Sequence, residues 1–123
     1  MMILISAWLA IGFGVLGAVL EVLRNWPDWQ WWPFWVVDYV AAGLLIVGGA
    51  LALRRRGERV LAAGWAFACA MFWMSFFGHL SGLREAVEAS AREQRLTFII
   101  GVMFAVTAVG LVLTLLGRSR RGP

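Results

Sequence analysis

Three ionisable side chains lie inside long apolar stretches of this chain: Glu21, Asp38 and His79. Ionisable groups at membrane depth are energetically expensive and often functional, because carboxylates and imidazoles can carry protons or bind a ligand. Tyr39 and Ser75 lie near Asp38 and His79 in the sequence and add two hydroxyl groups. These five residues form the candidate ligand or proton site.

Each ionisable residue also has a purely structural interpretation. Glu21 can pair with Arg24, three residues later. Asp38 can brace the start of a helix, and His79 can satisfy a hydrogen bond between helices. The three residues have no local spacing of the H-E-x-x-H kind that predicts a metal ion. Their metal content is therefore unknown from the sequence, and no cofactor is predicted.

The polar residues lie within four apolar stretches, at about residues 3–23, 34–53, 60–83 and 96–117. Each stretch has about 20 residues, and a helix rising ~1.5 Å per residue crosses a ~30 Å hydrocarbon core in that length. The stretches are apolar on every face, which favours helices over the alternating strands of a barrel. We expect an all-α membrane protein, with residues 1–123 forming one compact bundle of four transmembrane helices.

Arginines are concentrated at one side of this four-span arrangement. Residues 54–59 include four arginines and one glutamate, and residues 118–121 include three more arginines. Because basic loops stay in the cytoplasm and two spans separate these segments, we expect both termini to be cytoplasmic. The formal charge is then +6 inside and −2 outside. This asymmetry predicts a multi-pass protein of a bacterial inner (plasma) membrane and explains the basic composition without nucleic-acid binding.

Small residues mark the predicted packing faces, because helices in a membrane associate through close contact. These faces comprise Ser6, Ala10, Gly14 and Ala18; Ala42, Gly48, Gly49 and Ala52; Ala68, Ser75, Gly78 and Gly82; and Thr97, Gly101, Ala105 and Ala108. Glu21, Asp38 and His79 each lie four or seven positions from a member of these sets. All three should therefore point toward neighbouring helices and converge in one outer pocket, whereas the inner half should be plain packing.

Residues 26–35 are rich in tryptophan and lie between the first two spans. They include five of the eight tryptophans of the chain: Trp26, Trp29, Trp31, Trp32 and Trp35. Tryptophan prefers the headgroup level of a bilayer, so this segment predicts an aromatic anchor at the membrane surface. An aromatic lid over the outer pocket is the alternative.

Two segments resemble parts of the small multidrug-resistance transporters, which have four helices and a glutamate in the first. Leu20-Glu21-Val22 is similar to the surroundings of that glutamate, and Ile99–Leu116 has the glycine-rich, aliphatic character of their last helix. The resemblance implies a proton-coupled exporter that works as a dimer. Asp38 and His79 are foreign to that pattern, and Glu21 lies nearer the end of its helix, so the chain is not assigned to the family.

From these patterns we expect a non-enzymatic accessory or oligomeric membrane component. Its outer pocket would bind a partner, a lipid or a small ligand. A dimeric proton-coupled transporter or channel is one alternative, and a periplasmic metal site or membrane enzyme is another. The expected partners are the lipid bilayer and further copies of this chain or a larger membrane complex, with no nucleic acid. No Ser/His/Asp spacing, H-E-x-x-H motif or phosphate loop points to a reaction.

Overall fold

The computed structural model describes residues 1–25, 31–85, 88 and 90–120. The four helices are α1 (Met2–Asn25), α2 (Trp32–Leu53), α3 (Glu58–Glu85) and α4 (Ala91–Arg120). Each predicted apolar stretch falls inside one of these helices. The prediction of an all-α, four-helix bundle is therefore confirmed.

All four helices are long enough and apolar enough to cross a membrane. Between 22% and 33% of the most apolar window of each helix is buried inside the chain. Large apolar side chains cover the outward surface; Leu16, Phe98 and Val109 are 53%, 72% and 53% exposed. Such a surface is costly in water and suits lipid, which fits a membrane protein.

Helices α1 and α2 run antiparallel and approach closely through glycine. A Cβ atom added at Gly14 would lie 3.0 Å from the carbonyl oxygen of Ala42. One added at Gly49 would lie 2.7 Å from the carbonyl oxygen of Ala7. Residue numbers therefore increase along α1 in the direction in which they decrease along α2. The two backbones approach closely at these glycines because glycine has no side chain.

Helix α4 closes the bundle by returning to α1. Ser6 hydrogen-bonds the carbonyl oxygen of Gly110, and Gly117 packs against Ile3. Because neighbouring helices are antiparallel around the ring, α1 begins at the same end where α4 finishes. We call this the terminal end; the loop end is where α1 and α3 finish and α2 and α4 begin.

The predicted packing face of α3 is partly wrong. Ala68 is buried, but Gly78 and Gly82 are exposed, and a Cβ added at either glycine would meet nothing within 4 Å. Helix α3 instead meets α2 at Gly48, where an added Cβ would lie 2.6 Å from the backbone nitrogen of Leu61. Glycine spacing predicted close approaches without showing which face of α3 makes them.

Candidate functional site

A cavity of about 440 Å³ lies between the four helices in the loop half of the bundle. Most of its wall is apolar and includes Phe13, Leu20, Leu45, Met71, Phe72 and Met103. Its polar lining residues are Glu21, Asp38, Ser75, His79 and Arg92. The cavity therefore combines an apolar body with a small set of polar groups, which is the usual composition of a ligand pocket.

Four of the five predicted site residues line this one cavity: Glu21, Asp38, Ser75 and His79. They come from three different helices, so the bundle brings together residues that are far apart in the sequence. Tyr39 is not among the lining residues. Its ring lies edge-on to the ring of Trp35, with 6.0 Å between their centroids.

Arg92 is a lining residue that the sequence analysis did not identify. It is exposed in the first turn of α4, which Ser90 caps by accepting a hydrogen bond from the Glu93 backbone N–H at 3.1 Å. A usable sequence signal is that Arg92 precedes the apolar Leu96 by one helical turn. That spacing places the guanidinium group at the loop end of the cavity.

The charged and imidazole groups lie at two depths. Glu21 is four residues from the end of α1, and Asp38 and His79 are six residues from the corresponding helix ends. At ~1.5 Å of rise per residue, these groups are ~6 to ~9 Å inside the loop end. Glu21 is 8% exposed, whereas Arg92 is exposed at the end itself.

His79 has a defined tautomer in this arrangement. Its Nδ1 lies 2.7 Å from the carbonyl oxygen of Ser75, which can only accept a hydrogen bond, so Nδ1 carries the proton. In the neutral ring, Nε2 then keeps its lone pair and can accept a hydrogen bond or a proton. The bond goes to the backbone and not to the Ser75 hydroxyl, so it does not activate that hydroxyl as a nucleophile.

The two carboxylates, Glu21 and Asp38, already make contacts with other groups of the chain. A ligand in the cavity would share or displace those contacts. Across the described residues, no group of three or more His, Cys, Asp or Glu side chains is placed to hold a metal ion. Glu21, Asp38 and His79 thus share a cavity without forming a three-ligand metal set there.

The tryptophan-rich segment is only partly described. Trp26 and Trp29 lie outside the described residues. Trp31 and Trp32 are 69% and 59% exposed, and Trp35 packs against Tyr39. Trp31, Trp32 and Trp35 are not cavity-lining residues, so they provide an aromatic surface at the loop end and no wall of the site. The anchor and lid interpretations both stay predictions.

Aromatic rings separate the cavity from the terminal half. The ring of Phe13 lies 5.6 Å from that of Phe72 and 5.8 Å from that of Trp65 between centroids. Phe13 and Phe72 line the cavity, whereas Trp65 is fully buried beneath them. The rings of Phe13 and Phe72 therefore form an aromatic floor, and the Trp65 ring packs below it.

A hydrogen-bonded cluster lies below this floor, where plain apolar packing was expected. The indole Nε1 of Trp65 donates to Ser6 Oγ at 2.8 Å, and the Thr114 hydroxyl donates to the carbonyl oxygen of Gly110 at 2.8 Å. The two hydroxyls also hydrogen-bond each other. We call Ser6, Trp65, Gly110 and Thr114 the Ser6 cluster. A mid-span tryptophan, whose N–H needs a partner, is the signal that could have revealed it.

The site therefore consists of a cavity of ligand-binding size, with acidic groups just inside its loop end and aromatic rings toward its terminal end. Pockets of roughly 300–1,000 Å³ accommodate small organic molecules. No protein-family model, curated protein or solved structure matches this chain.

Proposed function

We propose that this chain is a small integral membrane protein whose cavity binds an amphipathic molecule bearing a positively charged group. The observation that carries this proposal is the cavity itself, with apolar walls from four helices and two carboxylates at its loop end. The apolar walls suit the body of such a molecule. The carboxylates attract its cation most strongly where water is scarce.

Charge and burial favour a cation over an anion just inside the loop end of the cavity. Glu21 and Asp38 both line the cavity there, whereas Arg92 is at the loop end itself and exposed. Removing a charged ligand group from water is costly unless an opposite charge compensates it. The Nε2 lone pair of His79 adds a hydrogen-bond acceptor beside the two acids.

The protein acts by binding and not by catalysis in this proposal, as an accessory or oligomeric component of the membrane. The support is the chemistry of the lining: Ser75 has no hydrogen bond from His79 to its hydroxyl, because Nδ1 of that ring donates to the backbone. A nucleophile needs a base within hydrogen-bond reach.

Both termini are cytoplasmic in this proposal, and the cavity opens in the outer leaflet of a bacterial inner membrane. The support is the exposed arginines at the terminal end: Arg54, Arg55, Arg56 and Arg59. In a Cys69→Ser background, Arg56→Cys and Ser90→Cys place single thiols at opposite ends of the bundle. A membrane-impermeant maleimide added to intact cells should label Ser90→Cys, and the reverse pattern would overturn the orientation.

A cavity-filling substitution tests ligand binding. A Cβ added at Gly17 or at Gly12 meets nothing within 4 Å, but Gly17 lines the cavity and Gly12 does not. The chain in lipid nanodiscs is titrated with trimethylammonium-diphenylhexatriene, an apolar fluorophore with one ammonium group. We expect Gly17→Leu to weaken binding at least about tenfold because the side chain occupies the site, and Gly12→Leu to bind like the unmodified chain.

The proposal fails if the two leucine variants bind the probe equally, or if the unmodified chain shows no saturable binding. Folding of each variant is checked by the elution volume of its nanodiscs and by helical circular dichroism. Equal folding with unequal binding is the result that assigns the probe to the cavity.

Proton-coupled transport is a second candidate, favoured by one observation: Glu21, an ionisable residue, is only 8% exposed inside an apolar helix bundle. The aromatic floor would have to open for such transport. In liposomes with a pH-sensitive dye inside, transport predicts a probe-dependent proton flux that Glu21→Gln abolishes. Binding without any flux supports the first function.

A further inference from the structure

Within the described part of the chain, the exposed lining residues of the cavity, which form its rim, lie on two helices. Among its lining residues, the exposed ones are Leu20 on α1 and Arg92, Leu96 and Ile99 on α4. The three apolar members are 43%, 43% and 53% exposed. The lining residues of α2 and α3 are buried or half-buried. The mouth of the cavity therefore lies between α1 and α4.

The same pair of helices is closed at the terminal end. Ser6 on α1 hydrogen-bonds Gly110 and Thr114 on α4, and Ile3 packs so closely on Gly117 that an added Cβ would lie 2.7 Å from it. Hydrogen bonds and close packing thus hold α1 and α4 together over the terminal half of their seam, and the opening lies in the loop half.

Two glycines on α1 show how its surroundings change toward the loop end. A Cβ added at Gly14 would lie 2.8 Å from the side chain of Ile46 on α2, so this turn of α1 packs against α2. At Gly17, almost one turn closer to the loop end, an added Cβ would meet nothing within 4 Å. Both glycines line the cavity, so α1 borders its free space at both positions and has no close neighbour at Gly17.

We propose that the ligand reaches the cavity sideways from the bilayer, through the opening between the loop halves of α1 and α4. The inference rests on the proposed function and adds the source of the ligand: a membrane-resident amphiphile, not a water-soluble cation. The rim residues Leu20, Leu96 and Ile99 all belong to helix segments long and apolar enough to cross a membrane.

Three of the four exposed rim residues are apolar, and the charged one, Arg92, lies at the loop end of the rim. The ligand body passes Leu20 and Ile99, which present no polar group to hold water at the opening. Its cationic group passes below Arg92, whose like charge repels it, and moves inward to Glu21. A route from water would favour a mouth lined by polar side chains.

Narrowing the rim tests the route. Ile99→Trp puts a larger side chain at the opening, and Val102→Trp is the matched control, because Val102 is 48% exposed on the same helix and does not line the cavity. The full chain in nanodiscs is mixed with trimethylammonium-diphenylhexatriene in a stopped-flow instrument. We expect Ile99→Trp to slow both association and dissociation roughly tenfold and to change the Kd less than about threefold.

The kinetic result separates a portal from a binding contact, because a barrier in the route affects both rates and a lost contact mainly affects dissociation. Leu20→Trp, with Leu16→Trp as its control, repeats the test on α1 if Ile99→Trp does not fold. Unchanged rates in a folded rim variant, with binding still lost in Gly17→Leu, overturn the lateral route and leave the proposed function standing. Absence of probe binding to the unmodified chain overturns both.

Discussion

The two halves of the bundle use polar groups in opposite ways. In the terminal half, the Ser6 hydroxyl accepts a hydrogen bond from the Trp65 indole and hydrogen-bonds the Thr114 hydroxyl, which joins three helices. In the loop half, the carboxylates and imidazole line a hollow of about 440 Å³. The neutral groups hold helices together by hydrogen-bonding each other, whereas the charged groups lie beside a space that a ligand could enter.

The closing seam between α1 and α4 accounts for this difference. In its terminal half, Gly117 on α4 packs closely against Ile3 on α1. Its loop half has Gly17 with no neighbour near an added Cβ. Glycine therefore permits tight packing at one end of the seam and leaves space at the other.

The largest expected effect is that of Gly110→Ala, which tests how tightly the terminal half is packed. A Cβ at this position would overlap the fully buried ring of Trp65. Overpacking a core costs about 1–3 kcal/mol, and we expect a loss of about 3 kcal/mol because the ring has no free space. The free energy of unfolding is measured by denaturant titration in micelles.

Gly12→Ala is the matched control for Gly110→Ala, because an added Cβ there meets nothing within 4 Å. We expect no loss of stability for the control and a gain of up to about 1 kcal/mol from helix propensity. Equal unfolding free energies for the two alanine variants would mean that Trp65 does not pack on Gly110.

Ser6→Ala should have the next largest effect, because it removes the acceptor of the Trp65 indole N–H. A buried donor left without a partner costs about 1–3 kcal/mol, so we expect a loss of about 2 kcal/mol in the same titration. Ser81→Ala, at an exposed serine on α3, should change stability by less than about 0.5 kcal/mol.

Trp65→Phe provides the second test of this bond. If the cluster is joined as described, Ser6→Ala should cost less in a Trp65→Phe background than in the unmodified chain, because the N–H is already gone. Strictly additive losses would contradict the coupling between Ser6 and Trp65.

In the loop half, Glu21→Gln should weaken ligand binding and leave the fold intact. The amide keeps the shape of the carboxylate but cannot attract a cation, so the Kd for trimethylammonium-diphenylhexatriene should rise about tenfold, or about 1.4 kcal/mol. Glu85→Gln is the control, since Glu85 is exposed at the same end and outside the cavity. Equal affinities of the two variants would contradict a role for the Glu21 charge.

The four helices could be predicted from the sequence because apolar length is a property of each segment by itself. The grouping of Glu21, Asp38 and His79 around one cavity followed from antiparallel order and helical phase, which place all three near the loop end. These inferences need no knowledge of which helix faces which. They depend on rise per residue and on the rule that neighbouring spans alternate in direction.

Which face of each helix packs against its neighbours could not be predicted in the same way. The exposed positions of Gly78 and Gly82, the Ser6 cluster and the opening between α1 and α4 all depend on how each helix rotates about its axis. Small residues on several faces permit more than one rotation in lipid, where apolar character does not separate inside from outside. Trp65 accounts for the rotation that the structure shows. Its large ring packs against a glycine, Gly110, and its indole N–H needs an acceptor, which Ser6 supplies.

The smallest expected effect is that of Gly17→Ala, and it tests whether the loop half of the seam is open. The added methyl group meets nothing within 4 Å, so it can neither overpack the bundle nor disturb a neighbouring helix. We expect an unfolding free energy within about 0.5 kcal/mol of the unmodified chain, or a slight gain from helix propensity. A loss of 1 kcal/mol or more would mean that α1 and α4 meet at Gly17 as closely as they meet at Gly117, and the contrast between the two halves of the seam would not hold.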